Sequence, residues 1–196
     1  MPHRGPLGIR TRTRAQACAI GVLGLCLAPA PAMPSEDGIH LVEQEIKAGL
    51  LYNFMKYTDW PEGAPDPKTP MVVCLFGGDP FDGRLQPMSG RTVNQHIIEI
   101  REPKTAGELT MCSLLFVHAN ARPQWPQLRA ALAEKAMLTV SDFDGFADSG
   151  GMIEFTRMNN RIGIRIDFQA VMAAHLQVQD RLQRLASRNR DGASAR

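Results

Sequence analysis

The sequence is short of the residue patterns that most often announce chemistry. Among His40, His96, His118 and His175, none stands three or four positions from another His or a Cys. That is the spacing that places two metal ligands on one helix face or turn, so no zinc site is indicated. No G-x-S-x-G occurs, so a serine nucleophile elbow is missing. There is neither a G-x-G-x-x-G fingerprint nor a P-loop lysine. Charge of one sign is also lacking, with 22 Lys+Arg against 20 Asp+Glu. A nucleic-acid binder would carry a basic excess, and this chain does not. No cofactor, metal or catalytic residue set is expected from these patterns.

Cysteine is scarce too, and half of it lies in a segment that does not read as part of the folded protein. Arg4, Arg10, Arg12 and Arg14 open the chain with no acid among them, and the apolar run Ala15 to Leu27 follows. Ala30-Pro31-Ala32 then forms a small-x-small exit. A basic start, a short apolar middle and a small-residue end describe a secretory signal peptide over residues 1–32, with Met33 as the new N-terminus. Thirteen apolar residues are too few to span a bilayer. Removing the segment takes Lys+Arg from 22 to 18 against 20 acids, a net charge of −2. It also leaves two cysteines, Cys74 and Cys112. In an oxidising compartment an even pair reads as a disulfide, with two buried thiols as the alternative.

At 196 residues the chain suffices for one domain with a real core. Residues 33–38 read as a short linker, 39–187 as the domain and 188–196 as a polar tail. Ile39, Val42, Ile46, Leu50, Phe54 and Tyr57 recur at helical spacing and predict a helix with that core face, ending before Pro61. "PEGAPDPKTP" is a proline-rich loop. "MVVCLFG", "CSLLFVHA" and "MLTVSD" are short apolar runs of the kind found in strands buried on both faces. "TVNQHIIEIRE" alternates as a strand does. Asp79 and Pro80 suit the cap and first turn of a short helix through Leu85. Pro123 to Lys135 predicts a helix with Trp125, Leu128 and Leu132 on one side. "MIEFTRMNNRIGIRIDF" predicts an antiparallel pair around Asn159-Asn160, and residues 169–187 a closing helix bearing Val171, Met172, Leu176, Leu182 and Leu185. Alternating strands and helices imply an α/β fold: one three-layer-like domain with a mostly parallel sheet, an antiparallel C-terminal hairpin and flanking helices.

Two loops carry weak chemical signals. Gly77, Gly78 and Asp79 follow a buried strand, the place where open α/β sheets bind anions, and form a candidate ligand turn. Asp142, Asp144 and Asp148 sit in a glycine-rich loop, but Ile153 occupies the place of the EF-hand glutamate. Tyr52 lies about 200° around the first helix from Leu50, among Glu45, Lys56 and Asp59. An aromatic among charges is a common interface signature.

The segments "IKAGLLYNFMKYTDWP", "VCLFGGDPF", "CSLLFV" and "LTVSDFDGFADSGGMIEF", in this order, resemble the YfiR family over roughly residues 43 to 187. The resemblance implies an exported, non-enzymatic regulator that binds and represses an inner-membrane signalling protein, a diguanylate cyclase, lowering cyclic-di-GMP and biofilm formation. It implies an outer-membrane lipoprotein that sequesters the regulator, and a homodimer. By position, Cys74 and Cys112 match the family's disulfide pair. Tyr52, Trp60, Arg161 and Arg165 are the partner-contact candidates, on expected exposure. Arg165 stands on the last strand, on an expected exposed edge, where similar proteins often carry Glu. A small-molecule sensor module using the Gly77-Gly78 turn, working with another membrane receptor or transporter, is the alternative reading.

Overall fold

A computed structural model describes residues 36–61, 66, 68–133, 135–158 and 161–186. The signal segment, the polar tail and the Asn159-Asn160 turn lie outside the described residues. Helix α1 (Glu36–Lys56) opens the fold. Its last carbonyls, on Met55 and Lys56, accept hydrogen bonds from the Asn94 carboxamide at 3.2 and 3.3 Å, which satisfies groups that a helix end leaves unpaired. Short β1 (Thr58–Asp59) follows, then β2 (Met71–Phe76), β3 (Thr92–Val93) and β4 (His96–Arg101). After β5 (Leu114–Val117) come α2 (Trp125–Leu132), β6 (Leu138–Ser141), β7 (Ile153–Met158) and β8 (Arg161–Ile166). Helix α3 (Phe168–Ala173) and β9 (Gln177–Val178) precede a last short helical segment at 180–186.

Seven strands form one sheet in the order β3-β4-β2-β5-β6-β7-β8. The pairs from β4 through β7 are parallel, while β3 and β8 pair antiparallel at the two ends. Every residue of β2, β5 and β6 is buried, as their continuous apolar runs require. Successive side chains of a strand point to opposite faces, so β2 feeds two cores. Met71, Val73 and Leu75 join α1, α3, Phe116 and Phe155 on one face. Val72, Cys74 and Phe76 join Trp125, Leu128, Leu132 and Phe146 on the other. The predicted layering and the mostly parallel sheet are both present.

Three local expectations are corrected. On α1 the inward side chains are Ala48, Leu51, Phe54 and Met55 together with Gln44 and Lys47, whereas Val42 and Ile46 are 56 % and 47 % exposed. Lys47 turns inward because its ammonium bridges Glu43 and Asp142 at 2.9 Å each. The closing helix is broken. Asp167 caps α3 by accepting from the N–H groups of Gln169 and Ala170. His175, at φ +59°, then reverses the chain and β9 pairs with β1, Thr58 opposite Val178. Met172 is left exposed. Around Asp79 there is a turn and not a helix: its carboxylate accepts from Phe81 and Gly83 N–H at 2.8 and 2.9 Å.

Candidate functional site

The two loops at the carboxyl ends of β2 and β5 leave the sheet in opposite directions. The chain after β2 places Phe81, Leu85 and Val93 on the α1 face. The chain after β5 places Ala121, Trp125 and Leu128 on the α2 face. Neighbouring strands whose connections diverge in this way open a crevice at their carboxyl ends, the place where open α/β sheets hold ligands. A cleft of about 430 Å³ lies there, between Gly77-Gly78, Pro103-Lys104 and Asn120, Ala121 and Gln124. Gly77 has φ +92°, and a methyl group on it would sit 2.8 Å from the Ala121 Cβ. Gly78 has φ +120° and nothing within 4 Å of such a methyl. The sequence-based candidate turn therefore forms one wall of a real crevice, and Asp79 shapes it from behind by capping the turn.

Beneath this crevice a disulfide joins Cys74, in the middle of β2, to Cys112, with a Cα–Cα distance of 5.8 Å. Cys112 lies two residues ahead of β5, so the bridge ties β2 to the entry of its neighbour. Both cysteines are buried in the α2-side core.

A second feature sits on the α1 face. The Lys47 ammonium, with its side chain 8 % exposed, holds Glu43 and Asp142 and lies 5.8 Å from the centre of the Phe155 ring. Arg157 also pairs with Glu43. This network anchors the first half of α1 to the segment after β6 and to β7 by charge. It leaves the apolar Leu41, Val42 and Ile46 pointing to solvent, each 45 % exposed or more.

The residues proposed for partner contact are dispersed. Tyr52 is half-buried, packed on the α1-side core with the Arg91 guanidinium 6.0 Å from its ring. Trp60 is half-buried against the same core, and its indole N–H makes no hydrogen bond among the described residues. Arg161 is exposed at the start of β8. Arg165 does lie on an edge strand, but its guanidinium is not free: it meets Asp148 at 2.7 Å and Glu154 at 3.2 Å. The bond to Asp148 raises the Arg165 pKa further, against the opposing effect of burial. Glu154 is itself buried and accepts from Gly145 and Ala147 N–H, so Arg165 helps fasten the glycine-rich loop. This structural duty explains why an arginine there is compatible with the edge position.

Two of the histidines have structural partners. His96 Nδ1 lies 3.0 Å from the Thr69 carbonyl, and His118 Nδ1 accepts from Asn120 N–H at 3.2 Å. Among the described residues no group of three His, Cys, Asp or Glu side chains could hold a metal ion. The same residues contain no helix long and apolar enough to cross a membrane.

Sequence periodicity overlooked the Leu41, Val42 and Ile46 surface because these residues continue the apolar spacing of the buried ones. The signal that distinguishes them is the inward Gln44-Lys47 pair, meaningful only once Asp142 is known to lie opposite. A family model described as YfiR/HmsC-like matches residues 44–187. No curated protein matches the chain.

Proposed function

The chain belongs to the YfiR/HmsC-like family, and we propose that it is an exported, non-enzymatic regulator that represses an inner-membrane diguanylate cyclase by reversible contact. Family membership is the observation that carries this reading. The exposed Val42 and Ile46, one turn apart on α1, support it, because apolar residues on one exposed helix face are typical of binding sites. The occupant is the periplasmic segment of the cyclase. Repression follows if this protein binds the inactive state more tightly than the active one, since a ligand shifts an equilibrium only by its differential affinity. Residues 1–32 direct the chain through the inner membrane, and an outer-membrane lipoprotein competes for it. Tyr52, Trp60 and Arg161 are separate, secondary contact positions, and two copies of the chain associate. Deleting the gene in the native host should raise cyclic-di-GMP and surface adhesion; unchanged levels would remove the cyclase from the account.

A further inference from the structure

We propose that the crevice at the carboxyl ends of β2 and β5 binds a small oxyanion, a metabolite bearing a carboxylate or phosphate group. The site goes beyond the regulatory reading and does not depend on it. Topology is the first support: this is the point in the sheet where the outgoing connections diverge, on opposite core faces. The cleft of about 430 Å³ is within the range of metabolite pockets.

The main chain is the second support. Gly77 packs so closely on Ala121 that a side chain there would collide, and Gly78 faces open space. Two successive glycines with positive φ thus bring bare backbone to the rim of the crevice, where N–H groups can meet an anion.

Charge is the third. The polar side chains that line the crevice are one cation, Lys104, and two carboxamides, Asn120 and Gln124. No carboxylate is among the lining residues. The neighbouring acids are engaged elsewhere. Asp79 accepts from Phe81 and Gly83 N–H, and Glu108 accepts from Lys104 N–H and the Thr105 hydroxyl. The Lys104 ammonium itself has a loose pair with Glu102 at 3.4 Å, both side chains being largely exposed. Such a pair is weak and exchangeable, so an incoming oxyanion can take the ammonium from it. Lys104 supplies the charge, Asn120 and Gln124 supply directed donors, and Gly77-Gly78 supplies the close approach.

The test uses the exported chain, disulfide intact and labelled with ¹⁵N, titrated at constant ionic strength with inorganic phosphate, succinate or uncharged succinamide. The amide signals of Gly77, Gly78 and Asn120 should shift saturably with phosphate or succinate and not with succinamide. Those of Gly145 and Gly150 should stay in place. Tighter saturation by phosphate assigns the phosphate class, and tighter saturation by succinate the carboxylate class. Lys104→Glu, at an exposed position, should retain the fold and weaken binding about tenfold or more. Lys68→Glu, at the opposite end of β2, should leave binding unchanged. Shifts that never saturate, an equal response to succinamide, or undiminished binding by K104E would each overturn the proposal.

Discussion

Breaking the Cys74–Cys112 bridge should weaken the fold by an amount set mainly by the length of chain it closes. The two cysteines are 38 residues apart. In the chain-entropy model a loop of that length corresponds to about 3.9 kcal/mol. For a domain in the 150–250 residue class this converts to a fall in melting temperature of roughly 8–15 °C. Both side chains are buried, at 1 % and 6 % exposure, so Cys→Ala adds a small packing loss to the loss of the crosslink. The assay is urea unfolding of the oxidised protein, the reduced protein and C74A, C112A and C74A/C112A, with intact mass measured without reductant. The oxidised protein should weigh two hydrogen atoms less than the reduced one. Each single variant should lose nearly as much stability as the double, because either substitution opens the loop. Reduced protein as stable as oxidised protein, or single losses that simply add, would refute the reasoning.

Other perturbations address separate parts of the structure. Lys47→Met leaves Glu43 and Asp142 facing each other without their shared cation. It should destabilise by roughly 3 kcal/mol, read as a lower urea midpoint, and K47M/D142N should recover part of that loss. Gly77→Ala combines a 2.8 Å contact with Ala121 and an unfavourable φ, so it should lose about 1–3 kcal/mol and more than Gly78→Ala by thermal melting. Adding Ala121→Gly should recover part of the loss in G77A and none in G78A. The Thr105 hydroxyl, followed by Lys104 N–H, holds the Glu108 carboxyl below the usual glutamate range. Its contribution to stability is therefore present above the ordinary glutamate pKa and is lost as pH falls through the lower folded value. Thr105→Val should move the Glu108 titration, followed by carboxyl ¹³C shifts, back toward that ordinary value.

Strand content was legible because buried parallel strands leave an unmistakable trace. "MVVCLF", "LLFV" and "LTVS" have no other economical placement than the middle of a covered sheet, and β2, β5 and β6 lie there. The α2 face was legible for a similar reason, since Trp125, Leu128 and Leu132 are apolar at one helical spacing and no charged residue competes for the inward side. The α1 face was not. Its rotation is decided by a charged side chain, Lys47, whose partner Asp142 is 95 residues away, and no local periodicity encodes that pairing. The last helix misled in the same way. Val171, Leu176 and Leu182 are all buried as expected, but His175 breaks the helix so that Gln177 and Val178 can pair with Asp59 and Thr58. For the crevice, the sequence indicated Gly77, Gly78 and Asp79. Lys104, Asn120 and Gln124 join them only through the strand order, which places three separate loops at one end of the sheet.

Repression by direct contact is tested most closely at Val42 and Ile46. A photoreactive amino acid at either position, in the native host, should crosslink this protein to the periplasmic segment of a diguanylate cyclase. V42D/I46D should abolish that crosslink and raise cyclic-di-GMP to the level of the deletion strain, while its purified form melts within a few degrees of wild type because both side chains already face solvent. A folded V42D/I46D protein that still holds cyclic-di-GMP at the wild-type level, with no cyclase crosslinked from either site, would contradict the account.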